Sequence, residues 1–168
     1  MRALILSDSH GWTKEVQQVV QRHQKEVDVI FHCGDSELRE TAPELENVIS
    51  VKGNCDFGDF PEEMTKEVKG TRFFVGHGHL LNVKMTEINL IYKGEEVQAD
   101  VVCFGHTHVP VAMKEKGIVI LNPGSMRLPR EVNVGTYVIL EDDSEKTDVT
   151  FYSIDGKPVE TLNKTFFK

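Results

Sequence analysis

The stretch Arg2-Ala3-Leu4-Ile5-Leu6-Ser7-Asp8-Ser9-His10 decides the fold class. Arg2 to Ser7 predicts a buried strand, and it breaks at once into the polar group Asp8-Ser9-His10. Thr13 stands where a helix cap is expected, and Val16, Val19, Val20 and Val27 fall roughly on one face of the helix that follows. A strand followed directly by an amphipathic helix is the repeating unit of an α/β protein.

Working outward, the same unit recurs. Asp28 to Cys33 reads as a second strand, about Glu37 to Leu45 as a polar helical stretch, and Val48 to Lys52 as a third strand. Phe73 to Val75, a helix around Thr86 to Tyr92, and Val101 to Phe104 continue the alternation. After Val109 the grammar changes to short strands at Val111–Lys114, Ile118–Leu121, Thr136–Leu140 and Val149–Ile154, separated by turn residues. This tail predicts an antiparallel meander, with the acidic run Glu141 to Glu145 as a solvated hairpin tip. The expected architecture is an α/β fold, a two-sheet sandwich flanked by helices with antiparallel C-terminal strands, forming one domain over residues 1–168. A chain of 168 residues, 39% of them hydrophobic, can bury one sizeable core.

Composition excludes several classes. The net charge of −8 and the lack of a basic run argue against stable nucleic-acid binding. No stretch approaches a membrane span. The odd set Cys33, Cys55 and Cys103 lacks the spacing of a zinc ribbon or a disulfide framework, so a cytoplasmic protein is expected. A homo-oligomer is the expectation from base rates alone.

Chemistry gathers after the expected strands. The chain gives Asp8-Ser9-His10, Gly34-Asp35, Gly53-Asn54-Cys55-Asp56, Gly76-His77-Gly78-His79, Gly105-His106-Thr107-His108 and Asn122-Pro123-Gly124-Ser125 in turn. Open α/β sheets place ligand sites at such strand ends. Oxygen and imidazole donors together suit borderline ions such as manganese, iron, nickel or zinc. A shared carboxylate can hold two ions about 3.5–4 Å apart, where they generate hydroxide from water and clamp an in-line displacement at phosphorus.

The ordered series Asp8-x-His10, Gly34-Asp35, Gly53-Asn54, Gly76-His77 and Gly105-His106-x-His108 resembles the calcineurin-like metallophosphoesterase superfamily. The short chain and the wording Gly53-Asn54-Cys55-Asp56 are similar to its small bacterial and archaeal phosphodiesterases. The resemblance implies that Asp8, His10 and His108 hold one divalent ion, that Asn54, His77 and His106 hold the other, and that Asp35 bridges them. Mn2+ is favoured, with Ni2+, Fe2+ or Zn2+ as alternatives. It further implies a hydrolase whose substrate is a small phosphate ester, a phosphodiester ahead of a monoester.

The family's catalytic histidine follows the asparagine, and here that position is Cys55. The thiol is open between spacer and functional group, Asp56 loses the histidine it would orient, and His79 is the alternative source of a proton. Asn122, Gly124 and Ser125 read equally as a tight turn or as donors to a phosphate oxygen. His23 and His32 lack the strand-end context and read as structural, and Cys33 and Cys103 as small buried hydrophobes. A rival function is that of a metal-binding scaffold, because a retromer protein resembles the same fold and uses it for assembly.

Overall fold

The computed structural model describes residues 1–168. Its strands are β1 (Arg2–Leu6), β2 (Val29–His32), β3 (Ile49–Ser50), β4 (Glu63–Val68), β5 (Thr71–Gly76), β6 (Val101–Cys103), β7 (Val111–Glu115), β8 (Ile118–Asn122), β9 (Thr136–Asp142), β10 (Lys146–Ser153) and β11 (Lys164–Phe167). Two helices, α1 (Lys14–His23) and α2 (Ile88–Val97), accompany them. The strands form a six-stranded sheet in the order β11-β10-β9-β1-β2-β3 and a five-stranded sheet in the order β4-β5-β6-β8-β7.

Side-chain alternation builds the layers. Ala3 and Ile5 of β1 point into the space between the sheets, together with Phe31, Phe73, Val75, Cys103, Leu121, Val138 and Phe151. Leu4 and Leu6, one residue out of phase, face the other way and meet Val16, Val19 and Val20 of α1. Across the molecule Phe74, Val102, Phe104 and Ile120 meet Leu90 of α2. The result is a helix, two sheets and a helix, as the strand-helix grammar requires. Cys33 and Cys103 are fully buried and unpaired in the middle layer.

Two strand groups run parallel, β1-β2-β3 in one sheet and β5-β6-β8 in the other. Parallel strands aim their carboxyl ends the same way. The polar motifs therefore emerge at one edge, three from each sheet.

Several expectations change. Glu37 to Leu45 is an irregular loop with only a 3-10 turn at Pro43–Leu45. Glu37 has a left-handed backbone, its N–H is captured by Asp56, and Pro43 has no N–H to donate inside a helix. The tail is also no single meander. β8 lies parallel to β6 and antiparallel to β7, whereas β9 to β11 extend the opposite sheet beside β1. Every residue of β8 is buried, which an outer strand of a meander would not permit.

The tip of the β9–β10 hairpin is also less solvated than expected at Asp142, which is buried and accepts hydrogen bonds from Thr71 and Thr147. The polar outer strands β4 and β11 have no counterpart in the expected elements. Thr13 precedes α1 without a side-chain cap, and Val27 lies beyond the helix.

Gly94 is the contact that seats α2. A Cβ there would stand 2.9 Å from Val102 Cγ2 and 3.0 Å from Ile118 Cδ1. Gly94→Val is expected to lift the helix from the sheet at a cost of about 1–3 kcal/mol, read as a lower denaturation midpoint. An unchanged midpoint would contradict this packing.

Candidate metal centre

All seven expected ligands converge at the shared edge. The ligating atoms of Asp8, His10 and His108 lie within 4.8 Å of one another, as do those of Asp35, His77 and His106. Asn54 Oδ1 lies 3.1 Å from His77 Nε2 and joins the second group. Asp35 also shares a third group with His10 and Cys55, so its carboxylate stands between the two histidine sets. The first sheet contributes Asp8, His10, Asp35 and Asn54, and the second contributes His77, His106 and His108.

The backbone is bent hard to achieve this. Asp8, His10, Asp35, His106 and His108 all have φ between 43° and 66°. Each such non-glycine residue costs of order 1–3 kcal/mol, which persists only where the surroundings enforce it. Glycines make room beside them. A Cβ on Gly53 would strike the Asp35 carboxylate, and one on Gly105 would strike Ser7 Oγ and Asp8 Oδ2.

Hydrogen bonds fix which atoms face inward. His77 Nδ1 lies 2.7 Å from the Cys33 carbonyl, His108 Nδ1 lies 2.8 Å from the Leu128 carbonyl, and His10 Nδ1 lies 2.8 Å from Glu37 Oε2. Those partners only accept, so each Nδ1 carries the proton and each Nε2 presents a lone pair. The Nε2 atoms of His10 and His108 face each other at 3.2 Å. His77 Nε2 faces Asp35 Oδ2 at 3.2 Å.

The carboxylates are divided likewise. Asp8 Oδ2 accepts from Ser7 Oγ at 2.6 Å and from the His106 N–H at 3.1 Å. Asp8 Oδ1 is buried with no hydrogen-bond donor and lies 3.1 Å from His108 Nε2 and 4.0 Å from His77 Nε2. Asp35 Oδ1 accepts from the Cys55 N–H at 2.8 Å, leaving Oδ2 for the centre.

With these rings neutral, lone pairs thus converge from both sides. Cations resolve that repulsion, and the mixed oxygen and nitrogen donors fit divalent ions. Without ions, protons must serve. Burial disfavours charge on His77, but its hydrogen bond to Asp35 and the charge of Asp8 outweigh this and raise its pKa. Burial would likewise raise Asp35, yet His77 and the Cys55 N–H hold it well below the usual carboxylate range. Asp8 is lowered against its burial by His108, His77 and Ser7. Burial, His77 and Lys84 push His106 down to about 4.

Residues 1–145 match the description of the calcineurin-like phosphoesterase superfamily domain. This chain belongs to that family. The chain is 45% identical over 163 residues to the probable metallophosphoesterase YsnB of Bacillus subtilis, covering 96% of each protein. It is 34% identical over 106 residues to the phosphodiesterase YfcE of Escherichia coli K12, covering 57% of this chain and 53% of that protein. A crystal structure from Streptococcus pneumoniae TIGR4, described as a predicted phosphoesterase, aligns with a TM-score of 0.96 at 37% identity over 99% of this chain and 97% of that one. Membership implies divalent metal ions, which agrees with the donor set. No helix is long and apolar enough to cross a membrane.

The remaining expected residues have other occupations. Asp56 is buried and accepts from the backbone N–H groups of Asp35, Gly53 and Glu37 at 2.7–2.8 Å, so it fixes the ligand loops rather than touching the centre. Asn122 donates to the Gly105 carbonyl and Thr107 Oγ1 and accepts from the Gly124 N–H. Ser125 donates to the Asp8 carbonyl and accepts from the Leu128 N–H. The donors of Asn122, Gly124 and Ser125 are thus engaged by the turn itself and by the loops that carry His106 and Asp8.

Cys55 Sγ borders the centre, and burial with the Asp35 charge pushes its thiol up to about 11. His79 is half-buried, its ring 5.4 Å from that of His77, and its Nδ1 has no partner. Burial and His77 lower its pKa.

Sequence reasoning missed the supporting atoms. Ser7, Glu37 and the carbonyls of Cys33 and Leu128 orient the ligands, and Arg127 donates to the His10 carbonyl. His32, fully buried, links Ser9 Oγ to the Gly34 N–H and so ties two ligand loops together from behind. His23 is remote from the centre and bonds Glu26 and Tyr137.

Asp56→Asn would place an amide donor against backbone donors. It is expected to lower bound metal markedly and to cost about 2 kcal/mol of stability. His23→Ala should cost similar stability but keep its metal. Elemental analysis beside thermal melting separates the two, and equal metal loss in both would refute the role given to Asp56.

Proposed function

We propose that the protein is a dinuclear metallophosphoesterase that hydrolyses a small phosphodiester in the cytoplasm, with Mn2+ the favoured ion. One observation carries this reading: two groups of potential ligand atoms face each other around Asp35. That set suits two ions sharing one carboxylate. When bound, such ions lower the pKa of water and neutralise charge on phosphoryl oxygens.

The chain's own residues supply the geometry. Asp8, His10 and His108 hold one side, Asn54, His77 and His106 the other, and Asp35 spans them. Their orientation is set before substrate arrives, because Nδ1 of His10, His77 and His108 and one oxygen of each aspartate are already bound to the scaffold. Preorganised groups of this kind need no rearrangement as charge develops at phosphorus. Water's oxygen forms the new bond to phosphorus, the ester oxygen leaves, and the departing alcohol takes up one proton.

That proton has no strong donor beside the centre. Cys55 stands where the family resemblance leads one to expect a histidine, and a thiol raised to about 11 is a poor acid. An unused nitrogen close by is Nδ1 of His79, whose ring lies 5.4 Å from that of His77. Reaction should therefore favour esters whose alcohol leaves unaided.

A diester is preferred to a monoester for two reasons. Its single negative charge needs fewer basic groups than a monoester dianion, and the sequence relative YfcE is named a phosphodiesterase. The scaffold reading is less well supported, since the full donor set is retained.

The test is hydrolysis of bis(p-nitrophenyl) phosphate and p-nitrophenyl phosphate by chelated and reconstituted protein. Activity should vanish on chelation, return with two ions per chain, and favour the diester. Full activity without metal, or saturation at one ion, would refute the dinuclear reading. Asp35→Asn should lower kcat/KM by about a hundredfold or more.

Leaving groups give a further test. Aryl esters should react much faster than alkyl esters, and His79→Ala should slow the alkyl esters more, while Cys55→Ala changes neither. A metal-replete but inactive Cys55→Ala variant would instead assign the thiol a direct role.

A further inference from the structure

Phe57 is the one large apolar side chain that the fold leaves 99% exposed, and it lies two residues after Cys55 at the rim of the metal centre. Single exposed hydrophobic residues are common and need no purpose. This one differs in how it is held. Asp56, just before it, is anchored by the backbone N–H groups of Asp35, Glu37 and Gly53. Just after it, the Asp59 N–H donates to Glu40 Oε2 at 3.2 Å. Gly58 between them is packed so closely that a Cβ would stand 2.7 Å from the Phe60 ring and 2.9 Å from Glu40. The loop is fixed on both sides, and it presents an aromatic ring to solvent.

The ring also shares a cavity with the centre's support. A recess of about 490 Å³ is lined by Phe57 together with Glu37, Arg39, Glu40 and Asp59. Glu37 is the carboxylate that holds His10 Nδ1, so this recess adjoins the metal centre at a ligand. Its charged lining is three carboxylates against one guanidinium. Such a wall repels a further anion and accepts hydrogen bonds from amino or hydroxyl groups, while the Phe57 face offers stacking to a planar ring.

Resting on the phosphodiesterase reading, we propose that this recess binds one ester arm of the substrate, an uncharged planar aromatic group bearing hydrogen-bond donors, of the nucleoside class. The phosphorus then lies at the metal centre with this arm directed past Glu37. Phe57 is a specificity-determining residue, touching substrate but taking no part in bond making.

The experiment is calorimetric binding to the metal-loaded protein of two diesters that share a methyl arm, adenosine 5′-(methyl phosphate) and dimethyl phosphate. The wild type should bind the nucleoside ester about tenfold or more tightly than dimethyl phosphate, the range expected for one base on an aromatic side chain. Phe57→Ala should remove most of that advantage, and Phe57→Trp should retain it. Equal affinities in the wild type, or an advantage that survives in Phe57→Ala, would overturn the inference. So would a change in oligomeric mass on Phe57→Ala with the preference intact, because Phe57 would then belong to a contact between copies of this chain. Hydrolysis of bis(p-nitrophenyl) phosphate is measured in parallel. Hydrolysis without the nucleoside preference overturns the inference alone, whereas no hydrolysis with any divalent ion overturns the phosphoesterase reading and the inference with it.

Discussion

The mutual repulsion of inward-facing lone pairs is the constraint on which the rest of the structure depends. His10 and His108 oppose each other through Nε2 at 3.2 Å, and His77 opposes Asp35 at the same distance, while each Nδ1 is already bound to an acceptor. The donors come from both sheets. Whatever cations fill the centre therefore join the two halves of the sandwich at their polar edge, much as the layer of Ile5, Phe31, Phe73 and Phe151 joins them in the middle.

Holding like groups this close requires a stiff surround. Left-handed backbone at five ligands, close glycines at 53 and 105, and the buried Asp56 carboxylate all act to that end. Asn122 at the end of β8 and Ser125 just beyond it do the same, since they bind the loops that carry His106 and Asp8. The geometry is set by many short contacts with the backbone, so the centre tolerates little rearrangement. Substrate choice falls instead to the rim, where Phe57 and the carboxylates around it touch no ligand directly except through Glu37.

Much of this was legible in the sequence because strand-end chemistry is local. An apolar run that breaks into Asp-Ser-His or Gly-His-Thr-His declares both a buried strand and the polar group at its end. The two-sheet sandwich and the convergence of seven residues could be read from that pattern and from the family it resembles. Strand partners could not. Nothing in Ile118–Asn122 says that its neighbour is β6 on one side and β7 on the other, since burial on both faces is a tertiary fact. Glu63–Val68 and Lys164–Phe167 were invisible because outer strands carry polar residues. Glu37 looked like part of a polar helix, and its role as the partner of His10 depends on a loop conformation that Asp56 imposes from 19 residues away. The carbonyls of Cys33 and Leu128 orient two histidines and have no side-chain signature at all. Asn122-Pro123-Gly124-Ser125 reads equally as a turn or a phosphate contact, and its bonds to Gly105, Thr107 and Asp8 depend on loops distant in the sequence.

The most direct test is nitrogen-15 NMR of the histidine rings during metal titration. In the loaded protein the account predicts Nδ1–H tautomers for His10, His77 and His108, with their Nε2 resonances displaced by metal and the change complete at two ions per chain. An Nε2–H tautomer at any of these three residues in the loaded protein, or Nε2 resonances that do not respond to metal, would contradict it.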